Sequence, residues 1–346
     1  MAKLYRQIQD YLEEQIVRHR DQPGFKLPSE QALAIKFKAS RVTVRTALGN
    51  LEERGLIVRM QGKGSFIREP SPGAPRTLAF LAPDAGSAYM RELIRGMTDF
   101  CSRNELDFAV LFSCLNPGLE DKAIRTARDL KCDGLMLMPL DFGSYSDEML
   151  RLSLRKTPVV FVDWRLPGLD FPCVSSDHFD ITYQAVRYLA QKGHRDIVFL
   201  VSPQPRASSL QSRLRGFEQG LLDFLGTINR HNFFTENLSH AQTVEYFTEF
   251  FREHPSVTGI ICGSGQSADA VLAAFRRLGR TPGRDFGMVL IDNESAYTLD
   301  LLGLKLPTIT QDGYGIGFTA ARTLFDRLTG KEVPAETFIP TRFETE

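Results

Sequence analysis

Apolar residues recur at helical spacing over the first seventy positions. Beyond position 77 they gather into short unbroken runs. Leu4, Ile8, Tyr11, Leu12 and Ile16 make one helical stripe and predict a helix over residues 3–19, closed by the turn residues Asp21-Gln22-Pro23-Gly24. Ser29 is placed to cap a short second helix that buries Leu33, Ala34 and Phe37. Val44, Ala47, Leu48 and Leu51 stand at i, i+3, i+4 and i+7, so a third helix, capped by Ser40 and ending at Gly55, buries that face. Leu56–Met60 and Ser65–Ile67 then read as two strands joined by a tight turn at Gly62 and Gly64, where positive φ costs glycine little. The pattern is helix, turn, helix and β-hairpin.

From Leu78 onward the runs are Leu78–Leu81, Phe108–Phe112, Leu135–Met138, Val159–Val162, Ile197–Val201, Gly259–Cys262 and Met288–Ile291. They lack polar alternation, which suits strands covered on both faces. Between them lie helix-length segments at Tyr89–Cys101, Asp121–Leu130, Ser146–Arg155, Thr182–Lys192, Leu210–Phe224, Val244–Arg252 and Ser267–Leu278, with Gly193 and Gly279 at helix ends. This alternation predicts two parallel α/β lobes with ligands held at the carboxyl ends of the strands. Three prolines between Pro70 and Pro75 mark an extended spacer. The expected domains are therefore 1–69, a linker at 70–76, and 77–346.

With 346 residues and 42% hydrophobic content, the chain is long enough for two or three cores. Its net charge is zero, but the charge is unevenly spread. Residues 1–70 hold 13 Lys+Arg against 8 Asp+Glu, and the remainder holds 29 against 34. A basic head on an acidic body fits nucleic-acid binding through the head alone. The five cysteines are scattered, with no Cys-x-x-Cys and no histidine pair at zinc spacing, so no metal or cofactor is expected. Reduced cysteines in apolar segments, an amphipathic first helix in place of a signal peptide and no apolar run of about 20 residues predict a cytoplasmic protein without a membrane span.

Two constellations carry candidate chemistry. On the third helix, Val42, Arg45, Thr46 and Gly49 point away from the buried face, with Arg41 on the flank. Arginines in the first turns are disfavoured by the helix dipole, and an anionic partner such as a DNA phosphate offsets that. The planar guanidinium also suits a guanine edge; the bland alternative is an ordinary solvated helix face. In the body, polar groups fall just after predicted strands: Asp84; Asp163, Trp164 and Arg165; Ser264; Asp292 and Asn293; and Gln311 and Asp312 after Thr308–Thr310, with Arg213 opening Arg213-Leu214-Arg215-Gly216-Phe217. Carboxylates, an arginine, an amide and the single tryptophan make a sugar-binding set. The alternative is that loop-end Asp residues merely cap helices. Gly263-Ser264-Gly265-Gln266-Ser267-Ala268 could be a dinucleotide loop, but it comes late in the chain, and Asp292 lies beyond the usual spacing for its acidic partner. No nucleophile elbow, Walker A loop or His-Glu-x-x-His motif points to an enzyme or a catalytic residue.

Pro28-Ser29-Glu30, Ser40-Arg41-x-Thr43-Val44-Arg45-x-Ala47-Leu48, Gly55-Leu56-Ile57 and Gln61-Gly62-Lys63-Gly64-x-Phe66 resemble the winged-helix domain of GntR regulators. The resemblance implies DNA contacts from Ser40, Arg41, Thr43 and Arg45 on the recognition helix, and from Gly62 and Lys63 at the wing tip. Val160-x-x-Asp163-x-Arg165, Gly193-His194-x-x-Ile197, Arg213-Leu214-x-Gly216-Phe217, Asp292 and Thr308-Ile309-x-Gln311-Asp312 resemble the effector domain of LacI/GalR regulators. That implies a periplasmic-binding-protein-like fold with Asp84, Trp164, Arg213, Asp292 and Gln311 lining an inter-lobe cleft and Tyr89 near its mouth. It also implies structural roles for Asp177 and His194. The usual Asn-Asp of that family is replaced here by Ser264-Gly265. A GntR head on a LacI body is a combination similar to the arabinose repressors. The sequence thus predicts a small α+β winged helix followed by a two-lobed α/β effector domain. The expected function is that of a repressor whose hold on operator DNA responds to a small molecule, a sugar, and which acts as a homodimer. The rival expectation is a soluble α/β sugar-binding or nucleotide-dependent enzyme or carrier with an adaptor head.

Overall fold

A computed structural model of the chain describes residues 2–19, 24–53, 56–60, 62–67, 75–84, 86–140, 145–201, 208–228, 232–234, 238–292 and 295–345. They divide into two units, Met1–Ala74 and Pro75–Glu346. The Asp21–Pro23 turn, Gly55, Gln61, Asn293 and most of the expected linker lie outside the described residues.

In the first unit, α1 (Ala2–Arg18), α2 (Glu30–Phe37) and α3 (Arg41–Glu53) are followed by β1 (Ile57–Met60) and β2 (Gly64–Ile67). The helical stripes meet as their spacing requires: Ile8 and Leu12 of α1, Leu33 of α2, and Val44, Ala47, Leu48 and Leu51 of α3 are all fully buried in one core. Ser29 and Ser40 cap their helices, accepting from the Ala32 and Thr43 N–H groups at 3.2 and 3.1 Å. β1 and β2 pair antiparallel from Ile57↔Ile67 to Met60↔Gly64. The turn between them needs positive φ at Gly62 (77°) and Gly64 (116°). Phe25 and Leu27 add a short third rung, because Ile67 N–H donates to Phe25 and Leu27 N–H to Ser65, each at 2.9 Å.

The second unit begins with β3 (Thr77–Ala82), α4 (Ala88–Arg103), β4 (Asp107–Phe112), α5 (Pro117–Asp129), β5 (Gly134–Leu137), α6 (Asp147–Leu154), β6 (Val159–Val162) and β7 (Cys173–Ser176). The chain then forms α7 (His178–Gln191), β8 (Ile197–Val201), α8 (Ser208–Leu225), β9 (Asn232–Phe234), α9 (His240–Glu253), β10 (Gly259–Cys262), α10 (Gly265–Arg277), β11 (Gly287–Ile291), α11 (Ala296–Leu302) and β12 (Thr308–Thr310). It ends with α12 (Gly313–Leu328), β13 (Glu336–Ile339) and β14 (Arg342–Glu344). The two six-stranded sheets have matching orders, β13-β7-β6-β5-β3-β4 and β14-β12-β11-β10-β8-β9. All pairings are parallel except β12 with β14. Each sheet is the middle of one lobe, with apolar clusters on both faces.

The chain passes between lobes three times: after β7, after β12 and after β13. α7 therefore packs on α8 of the second lobe, and α12 on α4 of the first. Glycine sets both approaches. A Cβ on Gly96 would lie 2.1 Å from the Tyr314 carbonyl oxygen, one on Gly317 2.1 Å from that of Leu93, and one on Gly216 2.0 Å from that of Phe179.

Several elements depart from the periodicity reading. α5, α7 and α9 begin one turn earlier than expected, because the polar first turns capped by Asn116, Asp177 and Ser239 carry no apolar rhythm. β7, β9, α11, α12, β13 and β14 were not among the predicted elements. α12 opens Gly-Tyr-Gly-Ile-Gly, a composition shaped by close helix contact and not by amphipathic spacing. Among the described residues no helix is long and apolar enough to cross a membrane.

Candidate DNA-binding face and effector cleft

On the first unit, Ser40, Arg41 and Arg45 of α3 and its cap are exposed, as are Gly62 and Lys63 at the hairpin tip. Thr43 is half-buried, its hydroxyl 2.9 Å from that of Ser40. Arg45 keeps a 64% exposed side chain while its Nε donates to Glu30 Oε2 at 2.9 Å. The other Glu30 oxygen accepts from Arg59 Nη2 at 2.7 Å. The Arg45 hydrogen bond, with the charge of both arginines, holds the Glu30 carboxyl below its ordinary range against the opposing effect of burial. Glu30 thus ties the start of α2 to α3 and β1, and fixes Arg45 at the surface instead of drawing it inward. Val42, 74% exposed, lies on the same surface and is the kind of side chain that meets a thymine methyl. Glu30 and Arg59 were not singled out from sequence; a motif shows identity, not which carboxylate closes on which arginine.

In the second unit, Asp163 follows β6 and Asp292 follows β11, equivalent places in the two lobes. Neither caps a helix. Each adopts a left-handed backbone, φ 70° and 64°, and donates its N–H to the neighbouring strand, at Val174 and Ile309, at 2.9 Å. Such strain clusters at functional sites. Asp163 Oδ1 accepts from the Tyr89 hydroxyl at 2.8 Å. The His178 Nε2 lies 2.9 Å from the Asp163 carbonyl oxygen and 3.4 Å from Oδ1. Arg213 Nε donates to His178 Nδ1 at 3.3 Å, which leaves Nε2 as the protonated nitrogen facing Asp163. Arg213 is held in turn by its own carbonyl, which accepts from Thr182 Oγ1 at 2.6 Å. Asp292 accepts from the Gln311 backbone N–H at 3.0 Å and from Nε2 at 2.8 Å.

These groups form one electrostatic cluster fed from both lobes. Burial pushes the Tyr89 hydroxyl well above its ordinary range, and Asp163 and Asp292 add to this. At Asp163 burial also raises, but His178, Arg213 and the Tyr89 hydroxyl outweigh it and hold the carboxyl below its usual range. At Asp292 burial prevails over Arg213 and the Gln311 donors, and the carboxyl sits above its usual range. Gln311 Oε1 is buried and accepts no hydrogen bond from the described residues. The terminal nitrogens of Arg213 likewise have no hydrogen-bond partner among them.

A cavity of about 650 Å³ adjoins the cluster, between the ends of β6, β7 and β13 and the start of α8. Trp164 lines it, with its Nε1–H donating to the Pro139 carbonyl at 2.7 Å. So do Asp163, His178 and Ser176, whose buried hydroxyl has no partner among the described residues. The structure therefore brings together Tyr89, Arg213, Asp292 and Gln311, with Trp164 on the adjoining wall. Asp84 is exposed and, among the described residues, accepts only from Gly86 N–H at 2.7 Å. Ser264 serves as the cap of α10, accepting from Ser267 N–H at 3.3 Å. Asp177 caps α7 and His194 pairs with the Thr258 hydroxyl. Gly263 is a packing requirement, since a Cβ there would meet the Leu200 carbonyl at 2.9 Å; that accounts for the first glycine of the dinucleotide-like stretch.

The gntR family of bacterial regulatory proteins matches residues 4–67, and the periplasmic binding protein domain matches residues 78–332. The chain belongs to the periplasmic binding protein domain family. Its head is of the gntR type. It is 24% identical to the arabinose metabolism transcriptional repressor of Geobacillus stearothermophilus, over 95% of this chain and 92% of that one. It is 25% identical to the transcriptional repressor CytR of Escherichia coli (strain K12), over 87% and 90%. The crystal structure of the transcription regulator CcpA of Lactococcus lactis superposes with a TM-score of 0.68 at 21% identity, over 78% of this chain and 98% of that one. These relatives are transcriptional regulators and not enzymes, and the chain is a DNA-binding regulator with a LacI-type effector domain. The gntR label belongs to the head alone. The cluster also takes in His178, which was not singled out from sequence, and Asp163, which was named there only among the polar groups that follow a strand. The signal for His178 was present in Asp177-His178, directly after β7, but its pairing with Arg213 needs the three-dimensional crossing.

Proposed function

We propose that the protein is a homodimeric, cytoplasmic repressor that holds operator DNA through its winged helix and weakens that hold when a monosaccharide enters the inter-lobe cleft. Ser40, Arg41, Thr43 and Arg45 read or grip the duplex from α3, and Gly62 and Lys63 from the wing. Tyr89, Trp164, Arg213, Asp292 and Gln311 bind the sugar, with Asp163 and His178 orienting Arg213, and Asp84 and Ser264 at the rim. The observations that carry the effector class are the unmet hydrogen-bonding groups of the cluster and of the cavity beside it, Gln311 and Arg213 in the former and Ser176 in the latter. Gln311 Oε1 requires a donor, the ends of Arg213 require acceptors, and Ser176 can take either. A ring bearing several hydroxyls supplies both at once, and the Trp164 indole offers a face for its C–H surface. The name of one relative matched over 92% of its length, an arabinose metabolism repressor, favours a pentose. A dimer is supported by the exposed apolar side chains of Tyr297, Leu301 and Leu302 on α11, with Leu302 sharing a surface hollow with Leu272 and Ala273 of α10.

The test is an electrophoretic shift of DNA from upstream of the protein's own reading frame. A sequence-preferring complex that weakens steeply with salt and contains two chains per duplex is expected. Binding indifferent to sequence would remove the regulator reading, and one chain per duplex would remove the dimer.

A further inference from the structure

Away from the cleft, the first lobe has a second cavity, of about 130 Å³ and open to solvent at one side, between α5 and α6. Its floor is apolar, made by Ile124, Ala127, Leu135 and Leu152, and its rim is cationic. The buried Glu148 carboxylate accepts from Arg151 Nη1 at 2.8 Å and Arg128 Nη1 at 3.3 Å, with Arg125 Nη1 at 4.0 Å. One well-oriented guanidinium suffices for one carboxylate. Here three converge, and Arg155 lines the same cavity. Asp129, 3.7 Å from Arg128 Nε, and the partial negative charges at the ends of α5 and α6 offset part of this, yet a positive surplus remains. The side chains of Arg125, Arg128 and Arg151 stay 45%, 47% and 51% exposed, so donors remain open at the mouth.

We infer that this cavity is a second ligand site, for a small amphiphilic anion that carries one carboxylate or phosphate on an apolar body. A volume of this size is comparable with the cavity of about 150 Å³ that takes up benzene, so the body is about one aromatic ring. The apolar part fills the floor, and the anion meets Arg128, Arg151 and Arg155. The position gives such a ligand leverage. Cys132 and Gly134 line the cavity, and between them Asp133 Oδ2 accepts from the backbone N–H groups of Arg76 and Thr77 at 2.7 and 2.9 Å. Those residues begin the body just after the segment that joins it to the DNA-binding head. The site is separate from the sugar cleft and does not depend on it.

Cys132 provides the readout. In a full-length Cys114→Ser background, which removes the exposed thiol, the rate of Cys132 alkylation is measured at alkaline pH, with and without each probe. Benzoate and phenyl phosphate at millimolar concentration should slow it several-fold. Benzyl alcohol, which lacks the charge, and inorganic phosphate, which lacks the apolar body, should not. Arg151→Gln and Arg128→Gln together should abolish the protection by benzoate. Equal protection by benzyl alcohol would make this an ordinary apolar gap. Protection by inorganic phosphate alone would make it a surface charge patch, and no protection by either aromatic anion in the otherwise unaltered chain would overturn the site.

Discussion

Buried carboxyl groups in the body do not all sit in one kind of environment. Asp163 is surrounded by donors and stays ionised. Glu120, 4% exposed in the first turn of α5, accepts among the described residues only from the Leu140 N–H at 2.8 Å, and burial pushes its carboxyl up to about 7, with Asp121 adding to the rise. A carboxyl whose folded value lies above its unfolded one holds its proton more tightly when folded. Its stabilising contribution is full below about 4.5 and is lost as pH rises through about 7. Glu120→Gln keeps the Leu140 bond and removes the titration. Its stability advantage over the wild type should therefore grow between those values, by up to about 3 kcal/mol, and level off above. Denaturant melts at several pH values read this directly; a difference independent of pH would contradict it. Nothing in the sequence around Glu120 distinguishes it from a solvated first-turn acid, because burial at the end of β5 is a property of the assembled lobe. Asp292 and Gln311 could be picked out as candidates, by contrast, since each directly follows a strand, β11 and β12, and open α/β sheets hold ligands at the carboxyl ends of their strands.

Helices and strands were legible wherever one physical demand acted alone. α3 and α4 show plain amphipathic spacing, and β6 and β10 are unbroken apolar runs buried at every position. α12 answers to two demands, a buried surface and backbone-to-backbone approach to α4. Its glycines obey the second and obscure the first. Gly96→Ala should consequently destabilise the body by about 1–3 kcal/mol or more, because the new Cβ would sit 2.1 Å from a carbonyl oxygen of α12. Gly49 on α3 has nothing within 4 Å of its virtual Cβ. Gly49→Ala should instead stabilise the head by about 0.5–1 kcal/mol. Chemical melts that show equal effects at the two sites would mean that helix propensity, not close approach, governs both. The two lobes share this device, since Gly216 on α8 meets α7 as Gly96 on α4 meets α12.

For the molecule as a whole, order along the chain conceals order in space. Three crossings between lobes make α7 and α12 belong to lobes other than those of the strands before them, and no local periodicity reports a crossing. They are also what bring Asp163, His178 and Arg213 within reach of one another, a network that no single stretch of sequence displays. Duplex binding by the head and the proposed sugar sensing by the body are joined in one chain, and are coupled only if the sugar binds the two states of the regulator with different affinity. Fluorescence anisotropy of labelled upstream DNA, titrated with pentoses and hexoses for the wild type, Arg45→Ala and Arg213→Ala, tests that union most directly. One sugar should weaken DNA binding by the wild type about 5- to 150-fold. Arg213→Ala should bind DNA normally and ignore the sugar, and Arg45→Ala should lose the DNA while still binding the sugar by calorimetry. A folded Arg213→Ala protein that still releases DNA to that sugar, or an Arg45→Ala protein that loses both activities together, would contradict it.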